Sequence, residues 1–213
     1  MRRGRFITLE GGEGAGKSTQ ARRLADRLRE RGIQVVQTRE PGGSPGAEAL
    51  RALLVEGGAE RWSPLSEALM MYAARSDHLE RVIRPALESG AWVVCDRFSD
   101  STRAYQGAGG GVSPEVIEQL DRTVVGDDRP DLTLVFDLPV EAGLARAHHR
   151  AGGEARFESK GVDFHNRLRQ GFLAIALAEA DRCRLIDATR PVDEVSEAVW
   201  TAVIEALEDA GHG

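Results

Sequence analysis

The sequence predicts an α/β protein in which a five-stranded parallel sheet lies between two layers of helices, and three observations carry that expectation. Five short apolar runs are spaced along the chain, longer segments of helical period separate them, and a glycine-rich loop joins the first run to the first such segment. Strands that are connected through helices lie parallel and are covered on both faces, so each run is nearly continuous in apolar residues.

Taken in order, the strands are expected at Arg5–Glu10 (RFITLE), Ile33–Gln37 (IQVVQ), Trp92–Asp96 (WVVCD), Leu132–Asp137 (LTLVFD) and Arg184–Asp187 (RLID). The helices are expected at Ser18–Arg31, Pro45–Val55, Ser63–Leu87, Pro114–Val124, Glu141–Arg150, Phe164–Ala180 and Val192–Leu207. Gly32 supplies a stop for the first, and Ser113 before Pro114 is a cap followed by proline at the first helical position. Ligands of such sheets collect at the carboxyl ends of the strands, which directs attention to the residues after the first and third.

The 213 residues are 41% hydrophobic and 29% charged, enough for one domain over 1–213 with a sizeable core. A formal charge of -6 excludes a sequence-independent basic footprint for nucleic acid. Of the 28 basic residues only Lys17 and Lys160 are lysine, so the remaining 26 are arginine. Cys95 and Cys183 stand far apart, as reduced thiols of a cytoplasmic protein would, and the five histidines form no metal-ligand spacing. The basic start (Arg2, Arg3, Arg5) precedes an apolar run of only Phe6–Leu9, too short for a signal peptide. No window approaches the roughly 18 apolar residues of a membrane span.

Directly after the first strand comes Gly11-Gly12-Glu13-Gly14-Ala15-Gly16-Lys17-Ser18, followed by Thr19, which matches G-x-x-x-x-G-K-[ST] between a strand and a helix. Glycines let backbone N–H groups wrap round phosphate oxygens, the next helix points its positive end at them, Lys17 reaches the outer phosphates, and Ser18 can ligate Mg2+. A three-layer P-loop NTPase fold binding a nucleoside triphosphate follows. The lone Asn166 precedes Arg167, so the N-K-x-D stretch of a GTPase is absent, as is an L-S-G-G-Q-like transporter signature. Arg39 in TREPGG, Arg75 in MMYAARSD and Arg97 in VVCDRFSDSTRAYQG lie near strand ends, and guanidinium groups hold phosphate oxygens bidentately. Three of them outside the loop point to a second phosphorylated substrate.

Together ITLEGGEGAGKSTQ, TREPGG, YAAR, DRFSDSTRAYQG, RPDLTLVFDLP and IDATRP resemble the thymidylate kinases, which phosphorylate dTMP to dTDP with ATP and Mg2+, and the resemblance spans nearly the whole chain. It implies that Arg39, Arg75 and Arg97 hold the dTMP phosphate, with Arg97 also facing the transferred group. Asp96 would help organise Mg2+ with Ser18, or else serve as a structural partner of Arg97. The resemblance further implies a mobile lid at about 141–160. There, with Gly14 where some members carry a loop arginine, Arg150 and Arg156 would close over the ATP phosphates beside Arg146; a solvated basic loop is the alternative.

On the same resemblance Glu13 contacts the sugar 3′-hydroxyl, Tyr105 crowds the ribose 2′ position, Thr102 and Gln106 approach the base, and Leu50 lines the apolar side. Met71 replaces the phenylalanine that commonly stacks on thymine, which implies weaker dTMP affinity than a phenylalanine would give. Arg190 would flank adenine, or its loop would simply cap the last helix. A homodimer through helices within Ser63–Leu87 and Pro114–Val124 is implied by the resemblance alone. A kinase for another small acceptor and a nucleotide-binding module without turnover are the rival readings.

Overall fold

The computed structural model describes residues 3–58, 60–148 and 155–209. In chain order the elements are β1 (Phe6–Gly11), α1 (Lys17–Glu30), β2 (Val35–Arg39), α2 (Pro45–Val55), α3 (Pro64–His78), α4 (Arg84–Glu88), β3 (Trp92–Asp96), α5 (Ser99–Thr102) and α6 (Pro114–Val124). They continue as β4 (Leu132–Asp137), α7 (Val140–His148), α8 (Ala155–Glu158), α9 (Val162–Ala178), β5 (Cys183–Asp187) and α10 (Val192–Asp209). All five strands pair in parallel in the order β2-β3-β1-β4-β5, so the fold class is the one expected. Every residue of β1 is buried, as a central parallel strand requires.

One face of the sheet is covered by α1 and α10, where Leu24 and Leu28 meet Val195, Val199 and Trp200 over Ile7, Leu9 and Leu134. The opposite face is covered in two patches. Tyr72, Leu79, Ile83 and Leu87 pack on Phe6, Val93 and Phe98, while Leu168 and Phe172 of α9 pack on Tyr105 and Val135. Register places Leu9 of β1 beside Asp96 of β3, which brings the phosphate loop and the residues after β3 to one edge.

Three elements differ from the sequence expectation. The helix expected over Ser63–Leu87 breaks after α3 into a π-helical turn, Leu79–Ile83, before α4. Pro85 has no N–H to give to the carbonyl of Arg81, and the wider turn accommodates the loss. Ser99–Gly109, read only as a motif, is helical throughout: α5 runs into a second π-helical turn, Arg103–Gly109. Serine, threonine and glycine there favour helix poorly, so tertiary contacts, not propensity, hold it. The lid expected over 141–160 comprises α7 and α8, with α7 beginning at Val140; residues 149–154, Arg150 among them, lie outside the described residues.

Candidate active site

Between β1 and α1 the loop turns on Gly14 (φ +66°) and Gly16 (φ +88°), conformations that a side chain resists. A Cβ on Gly14 would also lie 2.1 Å from the Gly143 carbonyl oxygen, so α7 rests directly on the loop. Lys17 Nζ donates to the Gly12 carbonyl at 2.7 Å. Burial, reinforced by Arg97, pushes its pKa down to about 8 against the pull of Glu13, Asp96 and Glu10. The Ser18 hydroxyl donates to the Asp96 carboxylate. Two hard oxygen donors side by side at a phosphate site suit Mg2+, which keeps several waters and takes few protein ligands. A trough runs along Glu13–Thr19 and is closed by Arg39, Glu40, Arg51, Asp96 and Arg97.

Arg97 is the hinge of the site. Its φ of +72° is left-handed in a residue that rarely adopts it, and the surroundings fix it there. Its N–H donates to Leu9 at 3.0 Å, the Cys95 thiol donates to its carbonyl at 3.0 Å, and the Phe98 N–H donates to Glu10 Oε1 at 2.7 Å. The guanidinium reaches the Gly11 carbonyl (2.9 Å), Ser101 Oγ (3.2 Å) and Glu13 Oε1 (3.1 Å), and it lies over the Tyr105 ring. Tyr105 donates to the same Glu13 oxygen at 2.5 Å. Burial alone would raise the Glu13 pKa, but Arg97, Lys17 and Tyr105 together hold it below the usual carboxylate range.

A second, more apolar cleft adjoins the trough, lined by Met71, Arg75, Phe98, Thr102, Tyr105, Gln106 and Phe157 together with Glu40 and Arg97. Arg75 is buried: Nε donates to Glu40 Oε2 at 2.8 Å and Nη2 to Thr102 Oγ1 at 3.1 Å, while Nη1 has no partner. His78 Nδ1 meets Glu40 Oε1 at 3.0 Å and Nε2 meets Thr38 Oγ1 at 2.8 Å, so the ring holds the carboxylate that holds Arg75. Arg75 therefore stands in the apolar cleft beside Met71 and does not line the trough, whereas Arg97 lines both. Arg39 is exposed and pairs with Glu48 at 3.1 Å.

Two expected residues fall elsewhere. Leu50 is half-buried on α2 and lines neither cleft; its neighbour Arg51 turns toward the trough and donates to the Pro41 carbonyl at 2.7 Å. Arg156 is buried away from the loop. Its guanidinium pairs with Glu67 and donates to the carbonyls of Gly58 (3.0 Å) and Leu54 (3.0 Å), because a buried carboxylate must have a cation and Arg156 supplies it. Arg146 does lie at the loop, tying α7 to the turn after β5 through the Ala188 carbonyl at 3.0 Å, and Arg190 on that turn pairs with Asp187. No role was expected of Glu10, Glu40, Arg51 or Glu67; Glu10 lies inside ITLEGGEGAGKSTQ and Glu40 inside TREPGG, while Arg51 and Glu67 lie in no such motif.

A family model described as thymidylate kinase matches residues 9–199. A thymidylate kinase of Caulobacter vibrioides is 61% identical over 207 residues, covering 97% of this chain and 99% of its own. One from Bradyrhizobium sp. is 56% identical over 207 residues, covering 96% and 92%. A crystal structure of thymidylate kinase from Ehrlichia chaffeensis superposes with a TM-score of 0.79 at 34% identity, covering 94% of this chain and 99% of that one.

Proposed function

The chain belongs to the thymidylate kinase family and phosphorylates dTMP with ATP, and on that premise we propose that the trough takes the ATP phosphates, the apolar cleft takes the nucleoside of dTMP, and Arg97 stands where the two phosphates meet. The observation that supports this best is that Arg97 and Glu40 line both clefts. A phosphate acceptor is already an anion, so the in-line transfer needs alignment and charge stabilisation more than a base.

Lys17 and the amides of Gly11–Thr19 hold the ATP phosphates, and Arg97 with Arg39 holds the dTMP phosphate. Mg2+, carried by the Ser18 hydroxyl and the Asp96 carboxylate, would neutralise phosphate oxygens when bound. Arg75 takes a different acceptor from the one its sequence context suggests. Its charge is already matched by Glu40, and its unpartnered Nη1 suits a neutral carbonyl of the base. Met71, Thr102 and Gln106 complete the base end, while Glu13, fixed by Tyr105, receives the 3′-hydroxyl and Tyr105 excludes a 2′-hydroxyl. Arg146 and Arg150 serve the ATP side, with Arg190 beside adenine. Arg156 would have to break a buried pair, at a cost of roughly 3–5 kcal/mol, to join them.

A homodimer fits the exposed apolar residues Leu65 and Leu69 of α3 and Val116 of α6, which a two-fold contact would cover. No described helix is long and apolar enough to cross a membrane. The cytoplasm is where ATP and dTMP are met and where Cys95 and Cys183 stay reduced. The test is ADP release with dTMP, dUMP, dCMP, AMP, GMP and shikimate as acceptors. Fastest turnover with dTMP and slower with dUMP is expected; preference for another acceptor would overturn the assignment of the apolar cleft.

A further inference from the structure

We propose that Glu67, which lies behind the apolar cleft, is a positioning residue that sets the hydrogen-bond polarity of its base end and thereby the preference for a base carrying N–H over one carrying a lone pair at the same position. The inference rests on the reading that Gln106 faces the base.

A glutamine amide is nearly symmetric in shape, and its two ends differ only in that one donates and one accepts. Which end faces a ligand must be decided by what the other end meets. Gln106 Nε2 donates to Glu67 Oε2 at 3.1 Å, and both residues are 2% exposed. A carboxylate only accepts, so the NH2 group of Gln106 is committed inward. Glu67 cannot turn away, because its other oxygen is held by Arg156, itself fixed by the Gly58 and Leu54 carbonyls. Oε1 of Gln106 is left as the end available to the cleft it lines. Thymine and uracil present N3–H there, which Oε1 accepts. Cytosine presents a lone pair at N3, and two acceptors facing each other out of water forfeit a hydrogen bond on both sides. The chain Arg156, Glu67, Gln106 thus carries polarity from a residue that can only donate to the atom that reads the base.

Replacing Glu67 with glutamine reverses that chain without changing its shape. Arg156 still demands an acceptor and takes the carbonyl of Gln at position 67; the new amide nitrogen then donates to Gln106, whose NH2 turns into the cleft. The readout is the ratio of kcat/KM for dTMP to that for dCMP. In Glu67→Gln the ratio is expected to fall about tenfold or more while KM for ATP stays within about twofold. Glu67→Asp, still only an acceptor, keeps the ratio even where both rates drop. Gln106→Met lowers the ratio by removing the reader. If Gln106→Met lowers it and Glu67→Gln leaves it within about twofold of wild type, the polarity inference is overturned while the base contact stands. An unchanged ratio in both variants overturns the base contact and the inference with it. Should Glu67→Gln not fold, loss of the ratio in Glu67→Asp overturns the inference and its retention supports it.

Discussion

Replacing Gly14 with alanine should uncouple the ATP side of the site from the acceptor side. The backbone there has φ +66°, and an alanine in the left-handed region costs about 1 kcal/mol. Crowding costs more. The new Cβ would sit 2.1 Å from the Gly143 oxygen, 2.9 Å from its carbonyl carbon and 3.1 Å from Arg146 Cβ. Two of these atoms are backbone and cannot rotate away, so the loop and α7 must part by more than 1 Å before ordinary contact at 3.4 Å is restored. Misplacing reacting groups by roughly 1 Å costs about a hundredfold in rate, so kcat/KM for ATP should fall by about that factor. Gly14 does not line the apolar cleft, and dTMP binding measured by calorimetry without ATP should change less than kcat/KM for ATP does. A folded Gly14→Ala protein whose kcat/KM for ATP stays within about threefold of wild type would refute the contact between α7 and the loop as a determinant of ATP alignment. Gly143→Ala approaches from the other side, its Cβ 2.6 Å from the Glu13 oxygen, and should shift the same parameter in the same direction.

Met71→Phe should lower KM for dTMP, since a ring at the half-buried mouth of the apolar cleft stacks on a base where a thioether only covers it; an unchanged or higher KM contradicts this. Burial and the nearby Asp100 raise the Glu10 pKa from 4.5 to about 7, so the folded chain keeps a proton that the unfolded chain has released. Its contribution to stability therefore falls as pH rises from about 4.5 to about 7, by roughly 3 kcal/mol, and Glu10→Gln should abolish that slope. Urea midpoints of the two proteins that run parallel from pH 5 to 8 would contradict it. Lys17, pushed down to about 8, loses its charge above that pH in the free enzyme, so kcat/KM for ATP should decline there while kcat at saturating ATP holds to higher pH. A kcat/KM profile flat to pH 9.5 would remove Lys17 as the titrating group.

Residues whose task is set by their immediate neighbours could be recognised in the chain itself. Lys17 and Ser18 follow a glycine turn at a strand end, and that local sequence dictates a phosphate cradle wherever the rest of the chain goes. β1, β3 and β4 were legible because each is an apolar run buried along most of its length, and β2 and β5 because they alternate with helices in the same pattern. Glu10, Glu40 and Glu67 were not, because their tasks depend on partners far along the chain: Phe98 and Ser101 for Glu10, Arg75 for Glu40, Gln106 and Arg156 for Glu67. A glutamate such as Glu67, on a helix, reads as solvated until the fold shows what it faces. Arg156 illustrates the converse. The family resemblance implied that it closes over the ATP phosphates, but folding brings it beside the buried Glu67 carboxylate.

The charge balance of the two clefts explains why arginines of similar sequence context part company. Four cations line the trough, Lys17, Arg39, Arg51 and Arg97, against the carboxylates of Glu13, Asp96 and Glu40, and Glu40 spends its charge on Arg75 and His78. The trough is therefore left net positive and gains when phosphate oxygens enter. Beside Tyr72 and Phe98, Arg75 is cancelled by Glu40 at 2.8 Å, so a further negative charge set against Arg75 would find its counter-charge already taken, whereas a neutral carbonyl on Nη1 satisfies an orphaned donor at no such cost. A nucleotide has one charged end and one neutral end. On the proposed assignment of the two clefts, which meet at Arg97, it enters in the one orientation that sets its phosphate toward the ATP phosphates.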